Sequence, residues 1–311
     1  MSYTPRFWRK LALLNKIEVT PGTDAEPAGA ADAIQAIDVQ FTPMEGGEES
    51  RDLLLPYFGH QGVALTGLHG RLEFSVEIAG AGAAGAVPKY GSLLRACGLS
   101  ETVTVATDVV YEPVSAGQEA SSIYYNRDGV RHALVYCRGN VTMEFVPQRY
   151  PRFRFTMVGL HGTVADTVLP AVTLSGFQKP IISSKANTVF SLHGYDGPTE
   201  RVFIDLGNQV EPDLLINHEA VTISDRLSTG TVVMRGGLLA DINWDQIAKA
   251  ETKGPLALAH GSVAGNIVEV GGPKVQIGRY GEGESRGILN NSLPVMLTPD
   301  AGNDELVITV K

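Results

Sequence analysis

"RLEFSVEIAGAGAAGAVPKYGSLLRACGL", residues 71–99, joins two patterns that ask for different structures. Leu72, Phe74, Val76 and Ile78 alternate with Arg71, Glu73, Ser75 and Glu77. That is the period of a strand with one buried face and one polar face. A glycine-rich run follows, and then a short helical pattern over 88–97. Pro88 suits the first turn, Tyr90, Leu93, Leu94 and Cys97 form one stripe, and Gly98 suits the position just past the end. Val87 is a poor cap, so this helix must rely on packing. The glycines raise the question of a phosphate loop. A P-loop needs a Lys on the phosphates and a Ser or Thr on magnesium. Here Lys89 stands after a proline and before Tyr90. Gly80, Gly82 and Gly85 satisfy GxGxxG literally, with Asp108 downstream. A dinucleotide fold, however, requires a βαβ unit, and the surroundings read as antiparallel strands. The run reads as a connector from a sheet edge into a covering helix.

Strand patterns extend outward in both directions. "AIDVQFTP" (36–43) alternates Ile37, Val39 and Phe41 with polar residues. "MEGGEESRDLLLPYFGHQG" (44–62) is long, acidic at its start and apolar in its middle, and reads as a binding loop. Asp128-Gly129 predicts a hairpin, and Arg138-Gly139-Asn140 a second turn. Residues 163–200 read as loop and linker, with Pro170, Pro180 and Pro198. Several patterns then recur. "VFIDLGNQVEP" (202–212) echoes "AIDVQFTP", and "GTVVMRG" (230–236) stands where "RLEFSVEI" stood. "INWDQIAKA" (242–250) offers a second helix, with Asn243 as cap and Trp244, Ile247 and Ala248 on one face. "NIVEVGGPKVQIGRY" and "DELVITVK" supply later strands. The expected fold is mainly β: two tandem antiparallel sandwich or barrel-like domains, each with a short flanking helix, plus an extended N-terminal arm. Residues 1–35 form the arm, 36–170 the first domain, 171–200 a linker and 201–311 the second domain. The arm, rich in Pro, Gly, Ala and acids, is expected to be ordered only against a neighbour.

Composition narrows the chemistry. The 311 residues carry 19% charged residues and 35 glycines, which suits a turn-rich β protein with large contacts between subunits. A net charge of −9 argues against tight nucleic-acid binding, which needs a basic field, though not against DNA passing nearby. Cys97 and Cys137 form no CxxC pair, so a reducing compartment is expected. The short apolar run Leu11–Leu14 is too brief for a signal peptide or membrane span, and a soluble product made in a cytoplasm is expected. The seven histidines form neither HExxH nor HxH, and no GxSxG elbow occurs. Glu73 and Glu77 share a strand face, as a solvated or lumen-facing surface would have them. No catalytic, cofactor or metal site is expected.

Several segments together carry a resemblance. They are "YTPRFWRKLALLNKIEVTPGTDAEPAGAADAIQAIDVQFTPMEG" (3–46), "GSLLRACGLSETV" (91–103), "YYNRDGVRHALVYCRGNVTMEF" (124–145) and "FRFTMVGLHG" (153–162). In this order they resemble the major tail protein, or tail tube protein, of long-tailed siphophages. The resemblance implies sheets joined into rings, and rings stacked into a hollow virion tail through which the genome passes. It implies an inter-ring contact loop, here Glu45, Glu48, Glu49, Arg51, Asp52, Leu53, Leu54, Leu55, Tyr57 and Phe58. It implies arm contacts from Phe7, Trp8, Arg9, Leu11 and Leu14. Lumen-facing candidates are Glu73, Ser75, Glu77, Thr142 and Glu144; Arg149, Arg152 and Arg154 must then be paired or lie elsewhere. Implied partners are copies of the chain itself, with tail terminator, distal tail and tape-measure proteins, DNA in transit, and no membrane. The length departs from the simplest family members. Three chains forming a pseudo-sixfold ring are favoured over six, and the loop at 208–228 then takes the place of 44–62. The competing expectation is a tail-tip or capsid-decoration module that binds host glycan; it would call for clustered exposed aromatics, whereas Trp8 and Trp244 lie far apart in sequence.

Overall fold

A computed structural model describes residues 5–311; residues 1–4 of the expected arm lie outside the described residues. The first strands are β1 (Leu11–Ile17), β2 (Ala33–Ile34), β3 (Ile37–Glu49) and β4 (Ala64–Glu77), followed by helix α1 (Gly91–Ala96). Then come β5 (Thr102–Thr104), β6 (Asp108–Tyr111), β7 (Ser121–Arg127), β8 (Val130–Phe145) and β9 (Arg152–Asp166). The later strands are β10 (Thr188–Leu192), β11 (Thr199–Asp205), β12 (Asn208–Leu215), β13 (His218–Arg226) and β14 (Thr229–Arg235), followed by α2 (Trp244–Lys249). The chain closes with β15 (Lys253–His260), β16 (Val268–Ile277), β17 (Gly281–Ser285), β18 (Ile288–Thr298) and β19 (Val307–Val310). The protein is mainly β, with one 17-stranded antiparallel network and a separate hairpin of β12 and β13.

One order of pairing occurs twice. In the first half β1 pairs with β7, β7 with β8, β8 with β9, β9 with β4 and β4 with β3. In the second half β10 pairs with β15, β15 with β16, β16 with β18, β18 with β14 and β14 with β11. Helices α1 and α2 stand at the same place in each series, after β4 and after β14. The halves join where β8 pairs with β11, Glu144 opposite Phe203 and Thr142 opposite Asp205. They join again where β19 pairs with both β16 and β6.

The alternation at 71–78 does what its period requires. Leu72, Phe74, Val76 and Ile78 are all buried in one apolar core shared with Phe153, Phe155, Val202, Ile204 and Leu293. Phe74 stacks on Phe155 with ring centroids 5.6 Å apart. Helix α1 is shorter than the predicted 88–97, because the Gly91 N–H bonds the Pro88 carbonyl at 2.8 Å and makes 88–91 a turn. Its stripe is nevertheless buried, and Gly98, at φ 75°, ends it with bonds from Gly98 N to Arg95 O and Leu99 N to Leu94 O. The predicted cap of α2 also forms: Asn243 accepts a hydrogen bond from the Gln246 N–H at 2.9 Å.

Four expectations are corrected. The turn at Arg138-Gly139-Asn140 does not form, and β8 runs through it. Gly139 serves close packing instead, since a Cβ there would lie 2.3 Å from Met157 Sδ. The Asp128-Gly129 hairpin does form, both residues at positive φ. The linker at 171–200 contains β10, whose Phe190 and Leu192 enter the core. The arm is not a free segment: β1 lies between β2 and β7, and Leu13 and Leu14 are buried within the chain. Residues 44–49 and most of 208–228 are strand rather than loop. Paired two-stranded ribbons with little or no core face need no hydrophobic alternation, so the period did not mark them.

Candidate assembly surfaces

Three surfaces stand out, and the first is the tip of the β3–β4 ribbon. Bulges near Asp38, Pro43 and Gly46 interrupt this ladder, and every residue of the chain between its ends, 50–63, is exposed. Leu54 and Phe58 are fully exposed, and Leu53, Leu55 and Tyr57 are also exposed. The loop is held by its own groups: Gln61 bonds both backbone atoms of Leu53, and Ser50 bonds Asp52. Glu45 lies 3.6 Å from His69 across the ribbon, while Glu48, Glu49, Arg51 and Asp52 are exposed. So many apolar side chains in water make an exposed patch of the kind that contact surfaces carry. The β12–β13 hairpin occupies the same place in the second series, between β11 and β14, and its tip exposes Leu215 and Ile216. Its tip-side half is seated on the body, with Ala220 and Val221 buried and the Arg138 guanidinium donating to the Val221 carbonyl at 2.9 Å.

The second surface is the aromatic and basic head before β1. Phe7 and Trp8 are exposed, and the Arg127 guanidinium lies 3.5 Å from the centre of the Trp8 ring. Arg6 donates to the Arg127 and Asp128 carbonyls, and Lys10 lies 3.4 Å from Asp128. Phe7, Trp8 and Arg9 are thus available for contacts. Leu14 is not, being buried against this chain's own strands, and Leu11 is only partly exposed.

The third surface is the polar face of the joined sheet. Glu73, Ser75 and Glu77 of β4 lie opposite Thr156, Arg154 and Arg152 of β9. Thr142 and Glu144 of β8 lie opposite Arg154 and Arg152 from the other side. The same face continues through Arg201, Phe203 and Asp205 of β11 to Thr229 and Thr231 of β14. Its arginines are paired within the chain. Arg154 bonds Glu73 at 2.7 Å, Arg152 bonds Asp38 at 3.1 Å, and Arg201 bonds Glu144 at 2.7 Å. Of the named candidates Ser75 is nearly covered, at 9% exposure, and Glu144 is open. Sequence reasoning missed the arginines as partners, because strand register decides which charges meet.

The Arg154 hydrogen bond, helped by Arg71, holds the Glu73 carboxyl below the usual range against a smaller opposing effect of burial. A group depressed in the folded state adds stability above its unfolded pKa and loses it as pH falls through the folded value. Glu73→Gln should therefore lower stability at neutral pH by on the order of 1 kcal/mol and flatten the acid limb. Urea midpoints taken from neutral to acid pH test this, and parallel curves for the two proteins would refute it.

Both cysteines and His260 are buried, and His132 and His193 are half-buried. Burial pushes the Cys97 and Cys137 thiols up, and it lowers the His132, His193 and His260 pKa values. Among the described residues no group of three or more His, Cys, Asp or Glu could hold a metal ion. The glycine run is a seam. Gly82 N–H bonds the Gly265 carbonyl at 2.7 Å, and Gly80 N–H bonds Asn266 Oδ1 at 2.7 Å. Amides that a phosphate would need are spent on the second half. No helix of the described chain is long and apolar enough to cross a membrane. No protein-family model matches the sequence, and no curated protein matches it either.

Proposed function

We propose that the chain is a structural tail tube protein of a long-tailed bacteriophage. Copies join into rings, rings stack into a hollow virion tail, and the genome passes through the bore. The observation that carries this reading is the repeated pairing order, which sets β4, β9, β8, β11, β14 and β18 side by side with one continuous face turned from the core, polar and charged on β4, β9 and β8 and carrying Phe203, Val233, Pro294 and Met296 among its polar groups farther on. On this reading each chain supplies two tandem tail-tube units, each with its helix, and three chains make a pseudo-sixfold ring in preference to six. The polar face, with Glu73, Glu77, Thr142 and Glu144, lines the bore. Its arginines are tied to carboxylates, which limits their hold on passing phosphates. The 50–63 loop and the 215–217 tip contact the next ring, and Phe7 and Trp8 contact neighbours. Tail terminator, distal tail and tape-measure proteins would meet the tube at its ends and within its bore.

Negative-stain microscopy of the concentrated protein tests the reading. Hollow tubes or stacked rings with threefold symmetry are expected, while persistent monomers would sink it. Sixfold rings would retain the tube and reject the two-unit ring.

A further inference from the structure

We propose that the open edge of β3 is the docking site for β17 of a second copy of this chain, with Thr42–Val39 antiparallel to Gly281–Glu284. The inference rests on the ring-forming reading above and names the edges that close the ring.

The junction inside the chain supplies the template. β11 and β3 hold equivalent places, each pairing along one side with the strand that follows it in the series, β14 or β4. The other side of β11 is filled by β8. Among the described residues β3 has no such partner. The difference is visible in burial: Val202 and Ile204 of β11 are 3% and 0% exposed, whereas Val39 and Phe41 of β3 are only half-buried. An edge of this kind is a template for another strand.

The missing partner must resemble the end of β8, and β17 holds that place. Both segments precede a hairpin into the next strand of the series, β9 or β18. Glu77 and Arg235, the last residues of β4 and β14, lie opposite Arg152 and Asn290. Arg152 lies opposite Glu144, and Asn290 opposite Gly283, so Gly283 corresponds to Glu144 and Gly281 to Thr142. Inside the chain Phe203 faces Glu144 and Asp205 faces Thr142. Carried to β3, that register sets Gln40 opposite Gly283 and Thr42 opposite Gly281. Among the described residues β17 pairs with β18 alone, and Gly281 to Glu284 are exposed.

Charge supports the match. In this register Glu282 and Glu284 arrive beside Phe41 and Val39. Phe41 packs on Tyr125 at 4.4 Å and on His132 at 5.2 Å. The Arg127 guanidinium lies 5.0 Å from the centre of the Tyr125 ring, and the His132 pKa is lowered first by burial and then by the charge of Arg6. Two carboxylates of one copy thus meet a cationic, aromatic pocket of the next. β17 pairing with another β17 would instead oppose like charges. Because the two edges differ, the contact is heterologous and runs on until it closes.

The test is the double variant Thr42→Cys/Gly281→Cys. Thr42 is exposed, and a Cβ at Gly281 meets no heavy atom within 4 Å. The native Cys97 and Cys137 are buried and should stay silent. Mild oxidation of the full-length protein should give a non-reducing ladder of covalent dimers and larger species. Each single variant should give about tenfold less, since a disulfide needs Cα atoms within about 7 Å. Adding Glu282→Lys and Glu284→Lys should suppress the ladder, with near-ultraviolet circular dichroism reporting that the subunit remains folded. Tubes without the ladder would overturn this edge pairing and leave the tube reading standing. A ladder without tubes would support the pairing and reject the tube. Folded monomers with neither would reject both.

Discussion

Replacing residues 50–63 with a short turn is expected to abolish tubes while barely moving the melting temperature of the subunit. Leu54, Tyr57 and Phe58 touch water in the isolated chain, and the loop's own bonds join Leu53 to Gln61 and Ser50 to Asp52. Removing them opens no cavity, and cutting the loop to a turn of about four residues lowers the closure cost by only about 1 kcal/mol. In a stack the same side chains would be buried. Each fully covered side chain contributes about 2 kcal/mol, so three of them per subunit dominate a contact repeated around every ring. The boundary matters, because 44–49 belong to the β3–β4 ladder and their removal would damage the fold as well. Negative-stain images and a melting curve on the same preparation separate the outcomes. Normal tubes from the shortened protein would remove the loop from the stacking contact.

Gly80→Ala is expected to damage the subunit itself. A Cβ at this position would lie 2.2 Å from the Gly265 carbonyl oxygen and 2.5 Å from the Asn266 Cα. Both are backbone atoms, so no rotamer change can relieve the overlap. The seam of residues 80–82 against 265–266 must open, and the Gly80 and Gly82 N–H bonds loosen with it. Overpacking of this kind costs about 3 kcal/mol, and a melting temperature several degrees lower should follow. Gly281→Ala makes the control, since a Cβ there meets no heavy atom within 4 Å and the residue is not at positive φ. Equal melting temperatures for Gly80→Ala and the parent would mean that the seam does not hold the halves together.

What the sequence disclosed follows from where burial is one-sided. Strands with a core face, such as 71–78, announced themselves by alternation, and so did the helix stripes at 90–97 and 244–248. Those without a core face did not: the acidic "EGGEE" of β3 and the polar "NQVEP" of β12 are strands only because a partner ladder takes up their backbone groups. Gly139 looked like a turn because glycine serves both sharp bends and close packing, and only the neighbouring Met157 distinguishes the two. The exposed apolar loop was legible, since a run such as "LLLPYF" between strands has no core face to join. The pairing of Arg154 with Glu73 and of Arg201 with Glu144 was not, because it depends on register across strands distant in sequence.

The long-range pairing also sets a timetable. Leu11 lies opposite Arg127, and Val310 opposite Val109, so both joints must wait for distant chain to arrive. Loops that large are entropically costly to close before any contact repays them, and topologies of this kind fold slowly. During that wait the edges of β3 and β17 can meet partially folded neighbours as readily as finished ones. The carboxylates of Glu282 and Glu284, and the bulges that break β3, would then act as gatekeepers, holding off indiscriminate pairing until the aromatic and basic pocket around Phe41 has formed. Subunit maturation, rather than encounter between subunits, would govern how quickly assembly can begin.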